Sequence, residues 1–559
     1  MNRYKGEQLD QIREIISNDR SRQFALILIS IVFFCSSLLW VFRDQSVWPW
    51  DQAYYGEVSL DLAYAFSQGL AVWFRSMISA IGFKPPLLVW IAQAAVPFSD
   101  LVGGVERAFL LVNIFISGSA LFLLYRLGRK IGGSEVQSFA GVLLCGGSSL
   151  FIGITHQFFV EPLQALAIVG LMHTSLRCDI ISIIRLFGEL LFYISMSFLI
   201  KSSSIGYVLP FIAYIVIVRF SKKNNPCRKY SYSDYLVLTL GILAALAASA
   251  WYFVNWAGVL RHALLATVGP EAVLWGEQGA FSKKFMFWIE ALNHALFPWS
   301  ALGVAFAALL LLAIGAAFIS VVKAEPQQWF LAAIENRLLY ALMLLGTAAT
   351  AIIVHALQIN QETRFLMPML PLVSLTLVWA LHFLNRPAIN FVAFIVGALD
   401  AGASISGAHG MAWPGAVMSV WLKPYQENSA AAEKLMKAII LTCDGKHANR
   451  YNIVGVDMPF LNANSAEFYA TKNRRHSGYK CFYTSLGFAE VNASAAFSRI
   501  DIMNAPYVIT LLPTALTADT DAFNKTAYFV SERLSKDPKF APLAVLDDIV
   551  IFKKGEEPQ

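Results

Sequence analysis

Charge is scarce in this chain of 559 residues: Asp, Glu, Lys and Arg make up 14% of it, against roughly 25% in an ordinary soluble domain. With 57% hydrophobic residues and a mean hydropathy of +0.56, most of the chain has no water-facing surface to offer. Cysteine is equally sparse. There are six, and no CxxC or Cys/His spacing that would indicate zinc. No Gly-rich phosphate loop is present, and a net charge of +6 without a basic cluster interleaved with aromatics carries no nucleic-acid signature. A secretory signal is also lacking. Residues 1–23 hold Arg3, Lys5, Arg13, Arg20 and Arg22 but are too long and too acidic for a signal peptide, so they read as an uncleaved cytoplasmic tail.

Long apolar runs are what the chain has instead. They cover roughly 24–42, 107–127, 136–155, 161–177, 186–200, 203–219, 235–256, 296–320, 337–356, 365–383 and 388–406, which predicts about eleven transmembrane helices. The stretch 183–218 is interrupted by Lys201-Ser202-Ser203-Ser204, so two helices fit it better than one. Basic residues gather in alternate connections: Arg126, Arg129 and Lys130; Arg177 and Arg185; Arg219, Lys222, Lys223, Arg228 and Lys229; Lys323 and Arg337; Arg386. The positive-inside rule then places the N-terminal tail in the cytoplasm and the C-terminal region outside.

Two segments break the run of spans, 43–106 and 257–294, and both fall on the outer side in this topology. Within the first, Val58 to Phe66 and Leu87 to Val96 are too short to cross the core and long enough to lie along its interface. The transmembrane region spans 24–406. After Trp413-Pro414-Gly415 the composition turns ordinary and polar, and a soluble domain is expected over 420–559. Helical patterns at 427–441 and 520–536 alternate there with strand-like runs at Tyr451 to Val456, Pro506 to Leu512 and Leu543 to Phe552, which predicts a small α/β domain. Cys443 and Cys481 both lie in it. An oxidising compartment permits a bridge between them, and spacing alone does not establish one.

Ionisable groups beside hydrocarbon are costly unless they face a cavity or a ligand. The notable ones are Asp51 within Trp50-Asp51-Gln52-Ala53-Tyr54-Tyr55-Gly56-Glu57, Lys84 before Pro85-Pro86-Leu87, Glu161 in Phe159-Val160-Glu161-Pro162, and Arg364 in Glu362-Thr363-Arg364-Phe365-Leu366-Met367-Pro368. Each has a plainer reading. Asp51 also fits an interfacial N-cap, and Lys84 a snorkelling lysine. Glu161 fits a carboxylate favoured by a helix dipole by about 0.3–1 kcal/mol. The two prolines after Lys84 hold the backbone extended and so aim its side chain, and the planar fork of Arg364 suits bidentate binding of a phosphate.

Taken together with Glu106-Arg107-Ala108-Phe109 and Gly128-Arg129-Lys130, these pieces resemble the GT-C membrane glycosyltransferases, specifically the dolichyl-phosphate-mannose protein mannosyltransferase-like group that includes bacterial lipid A aminoarabinose transferases. The resemblance covers about residues 24–390. It implies a polytopic α-helical GT-C-like membrane protein with a C-terminal soluble α/β domain, placed in a bacterial inner membrane with that domain in the periplasm. It also implies an inverting enzyme that takes a sugar from a polyprenyl phosphate such as undecaprenyl phosphate and passes it to an acceptor on the outer face. Lipid A of lipopolysaccharide, a surface glycan and a protein all stay open as acceptors.

The implied roles are Asp51 as base with Glu161 assisting, Lys84, Arg364 and Lys201 on the donor phosphate, and Tyr54, Tyr55, Glu57 and His156 in contact with substrate. Members of the group usually carry a second acid directly after the aspartate, where this chain has Gln52, and metal-bearing relatives can place a glutamate before the lysine, where this chain has Phe83. No metal or cofactor is therefore indicated. The rival reading is a lipid or solute transporter or flippase. Against it, no internal repeat and no paired mid-span carboxylates are found. A receptor would not need eleven spans.

Overall fold

The computed structural model describes residues 27–28, 30–221, 230–323, 337–447, 449–486, 493–515, 524 and 526–555. The N-terminal tail 1–23 and the loop residues Lys222, Lys223, Cys227, Arg228 and Lys229 lie outside the described residues.

Eight helices among the described residues are long and apolar enough to cross a membrane: Val105–Lys130, Ile183–Ile200, Ser202–Arg219, Tyr232–Thr267, Ser300–Val322, Leu338–Leu357, Thr363–Leu384 and Pro387–Ala408. A pair bent by 61°, Glu135–Gly146 and Ser149–Thr155, makes nine if it is one span. These coincide with nine of the eleven apolar runs. The other two carry shorter helices, a π-helical turn Ser30–Cys35 leading into Ser36–Arg43, and Glu161–Arg177.

The bend has a local cause. A Cβ on Gly147 would lie 2.4 Å from the Leu143 carbonyl oxygen and 2.6 Å from Ala401 Cβ, so only glycine fits the corner. Ser148 then restarts the helix by accepting from the Phe151 N–H. The break expected at Lys201 is present too. Lys201 ends Ile183–Ile200 in extended conformation, and a single 3-10 turn, Ser202–Ser204, leads into Ile205–Ser221.

The chain divides into two compact units. The first comprises the described parts of Met1–Phe42, Leu110–Phe253 and Gly279–Pro424. Its core helix is Leu370–Leu384, where every residue from Leu370 to Leu381 is buried, as a helix apolar on all sides requires. The neighbouring helix Glu135–Gly146 approaches it through Gly141, whose Cβ would meet Val378 Cγ2 at 2.4 Å.

The second unit comprises Arg43–Phe109, Val254–Gln278 and Tyr425–Gln559. The segment read from sequence as an outer loop is helical: Trp50–Ser67, Leu70–Ser79 and Leu87–Ala92, the last continued by a 3-10 stretch Gln93–Val102. The C-terminal part is the expected α/β domain. Its five strands are β1 (Tyr451–Val454), β2 (Phe482–Ser485), β3 (Tyr507–Leu511), β4 (Phe540–Leu546) and β5 (Ile549–Lys554), in the order β2-β1-β3-β5-β4.

Strands β2, β1 and β3 run parallel, while β5 is antiparallel to β3 and to β4. The run Leu543 to Phe552, expected as one strand, is two halves of a hairpin reversed at Asp547, which takes a left-handed conformation (φ 52°). Helices Ala493–Met503 and Ala527–Lys536 cover the sheet through Phe497, Ile500, Val530 and Leu534, against Ile453, Val508 and Phe552. Cys443 and Cys481 form a disulfide.

Candidate functional site

In the second unit, Asp51 lies in the first turn of Trp50–Ser67, where the partial positive charge of the helix end favours a carboxylate. Pro49 precedes that helix in extended conformation, and Trp50 enters it with φ 40°, a left-handed setting that is rare for a bulky residue. The Trp50 indole holds the setting by donating to Asp457 Oδ1 at 2.8 Å. Lys84 stands before the two prolines that open Leu87–Ala92, and its Nζ reaches Asp51 Oδ1 at 2.7 Å. Both side chains keep 22% of their surface accessible, so the pair is open at one side.

Aromatic rings frame this pair. The ammonium lies 5.8 Å from the Phe83 ring centre and 6.0 Å from that of Tyr55, while Tyr54 stacks on Phe83 at 5.6 Å. His262 packs edge-on to Phe83 at 4.9 Å. The loop carrying Lys84 is held by close backbone approach, because a Cβ on Gly258 would sit 2.1 Å from the Gly82 carbonyl oxygen. Asn255 adds a hydrogen bond to the Ile78 carbonyl at 2.8 Å.

Further along the same helix, Glu57 is buried. Its Oε1 accepts from Lys480 Nζ at 2.7 Å, and Lys480 also binds Asp61. The sequence expectation of Glu57 as a substrate ligand therefore meets a carboxylate already engaged inside the protein. Burial and the charge of Glu57 raise the neighbouring Glu467 to about 8. Burial alone would lower the Lys480 amine, but Glu57 and Asp61 outweigh it and raise the amine above its ordinary range.

The first unit holds a separate charged cluster. Glu161, 1% exposed, opens Glu161–Arg177 with Pro162 behind it. Lys201 Nζ donates to Glu161 Oε1 at 3.1 Å, and Arg364 Nε lies 3.8 Å from the same oxygen. Arg364 Nη2 binds Glu362 Oε2 at 2.8 Å. Glu161 Oε2, by contrast, has no hydrogen-bond partner among the described residues.

Both cations rest on aromatic faces: Lys201 is 3.3 Å from the centre of the Phe365 ring, and the Arg364 guanidinium carbon 4.5 Å from that of Phe159 and 5.5 Å from that of Trp421. Trp421 is fixed in turn by its indole N–H on Thr363 Oγ1 at 3.0 Å. Two carboxylates thus balance two cations whose directions are set by ring stacking. This is a place where an anion can enter by displacing a carboxylate.

His156, expected as a substrate ligand, is 2% exposed. It stacks on Trp40 at 4.6 Å and its Nε2 lies 3.1 Å from Ser37 Oγ, so it sits in the interior of the first unit. Sequence reasoning gave no role to Glu362, which stands in the motif of Arg364 and binds it, and missed Lys480, whose partners lie more than 400 residues away. No group of three or more metal-ligating residues that could hold a metal ion occurs among the described residues.

The fold is similar to that of several solved proteins. ArnT from Cupriavidus metallidurans, solved bound to undecaprenyl phosphate, is similar with a TM-score of 0.54 and 11% identity over 95% of this chain and 99% of that one. The archaeal oligosaccharyltransferase AglB from Archaeoglobus fulgidus, in complex with an inhibitory peptide and a dolichol-phosphate, gives 0.52 and 11%, covering 92% and 72%. The arabinofuranosyltransferase AftD from Mycobacteria gives 0.53 and 12%, covering 95% and 40%. No protein-family model matches the chain, and no curated protein matches it in sequence.

Proposed function

We propose that the chain is an inverting glycosyltransferase that moves a sugar from a polyprenyl-phosphate donor to an acceptor hydroxyl at the outer face of a bacterial inner membrane, its C-terminal domain lying in the periplasm. The observation that carries the reading is the pairing of Asp51 with Lys84 on a fold shared with proteins solved bound to undecaprenyl phosphate and dolichol-phosphate. In the reaction the acceptor oxygen bonds to the anomeric carbon as that carbon's bond to the phosphate oxygen breaks. The acceptor proton passes to the Asp51 carboxylate, and the polyprenyl phosphate leaves with the bonding electrons.

Lys201 and Arg364 hold the donor phosphate, and Glu161 orients them until it arrives. Lys84 holds Asp51 through their 2.7 Å ion pair and is proposed as a phosphate ligand. Tyr54 and Tyr55 flank the acceptor. The acceptor is lipid A, a surface glycan or a protein.

The test is incubation of the purified protein with a panel of polyprenyl-phosphate sugars and with lipid, glycan and peptide acceptors, reading products by mass spectrometry and anomeric configuration by NMR. A product of inverted configuration supports the proposal. No product from any donor, with lipid movement in proteoliposomes, favours the transporter.

A further inference from the structure

Between the disulfide and the Asp51 helix stands one lysine. Cys443 ends the helix Ala430–Thr442, and it is bridged to Cys481, the residue before β2. Tyr479 Oη donates to the Cys443 carbonyl at 3.1 Å. The residues on both sides of Lys480 are therefore fastened to a single point, and what remains free to reach outward is the Lys480 side chain. It is 12% exposed and ends 2.7 Å from Glu57 Oε1 and on Asp61.

Glu57 and Asp61 are four residues apart on Trp50–Ser67 and so share one face of it. One ammonium bound to both sets the rotation of the helix about its axis. Asp51 lies six residues earlier, about 9 Å along that axis, so the direction of its carboxylate follows from the same setting. Other contacts from the C-terminal segment act beside this one: Arg474 lies 3.6 Å from Asp61 and over the Tyr64 ring, and Trp48 stacks on Phe468 at 5.3 Å. These hold the helix in place, but none of them bridges two of its turns from a covalently fixed base.

We propose that Lys480 is a positioning residue for Asp51 and that the Cys443–Cys481 bridge is what aims it, so that loss of the bridge slackens the helix carrying the base. The role given to Asp51 rests on the transferase reading above. Reduction by a dithiol, which supplies two electrons and two protons and leaves two thiols, would loosen the lysine without touching its charge. A long, flexible stem loses much of its hold when its backbone is freed.

The test uses the full-length protein in detergent, with the variants Lys480→Met, Lys480→Arg and Cys443→Ser/Cys481→Ser, and amide hydrogen exchange of the peptide covering residues 50–67 as the first readout. Exchange is expected to quicken on the order of tenfold in Lys480→Met, in the double serine variant and in reduced wild type. Reduction should add nothing further to Lys480→Met, and Lys480→Arg should stay close to wild type.

The second readout is sugar transfer, where kcat should fall about tenfold with KM for the donor unchanged, and Lys480→Arg should restore it. Unchanged exchange in Lys480→Met, or reduction acting on that variant as strongly as on wild type, overturns the proposal. A wild type that transfers no sugar from any donor sinks the transferase reading instead, and the exchange results still decide whether Lys480 and the bridge set the helix.

Discussion

Removing the Lys201 amine tests whether the charged cluster of the first unit works as a unit. In Lys201→Met the buried Glu161 loses its 3.1 Å partner and keeps only Arg364, 3.8 Å away. Breaking a buried ion pair by deleting one partner costs about 3–5 kcal/mol, because a charge is left uncompensated out of water. Arg364 remains nearby, so the low end applies, about 3 kcal/mol. At about 2 °C per kcal/mol, the low end for compact domains of 150–250 residues, the unfolding midpoint should fall by roughly 6 °C.

The second arm is Lys201→Met/Glu161→Gln, which removes the stranded charge as well and should recover most of the lost stability. Sugar transfer should stay low in both variants, since the phosphate has lost a cation either way. Tryptophan fluorescence on heating, read beside transfer of labelled sugar, separates the two effects. Equal loss of stability in single and double variants would refute the pairing argument, and full activity in the double variant would refute the role of Lys201.

Arg364→Lys should lower transfer by 10- to 100-fold, because lysine offers neither the planar fork nor the stacking on Phe159 and Trp421; transfer equal to wild type would show that any cation suffices. Gly258→Ala should destabilise the second unit by about 1–3 kcal/mol, since its Cβ would meet the Gly82 carbonyl at 2.1 Å, and an unchanged melting temperature would contradict this. Glu467 faces Glu57 and Asp61 from the Asp51 helix and Lys480 from before β2, and its folded value of about 8 stands above its ordinary 4.5. An acid raised in this way binds more protons folded than unfolded, so its contribution to stability falls as pH rises from about 5 through 8. The unfolding midpoint should drop over that window, and Glu467→Gln should flatten the drop.

The apolar architecture was legible because lipid allows little else: runs of about 15 to 25 apolar residues read as helices, and each of the eleven is helical among the described residues. The break at Lys201 was readable from its serines, and the bend at Gly147 was not, because it depends on how close Ala401 comes. Strand β2 escaped notice, being four residues long with a polar end, and the Asp547-Asp548 turn hid inside an apolar run. At the candidate sites, residue type and motif picked out Asp51, Lys84, Glu161 and Arg364. Their pairings were beyond the sequence, since Glu161 meets Lys201 and Glu57 meets Lys480 only through folding. His156, read as a ligand from its place at the end of an apolar run, is enclosed by Trp40 and Ser37, which only folding brings to it.

The central claim is that Asp51 takes the acceptor proton, and it is tested most directly by transfer of radiolabelled sugar from defined polyprenyl phosphates to membrane extracts, comparing wild type with Asp51→Asn at matched melting temperature. Labelling by the wild type that falls about 10²- to 10⁴-fold in the variant is the predicted result. Labelling equal in the two would contradict the account.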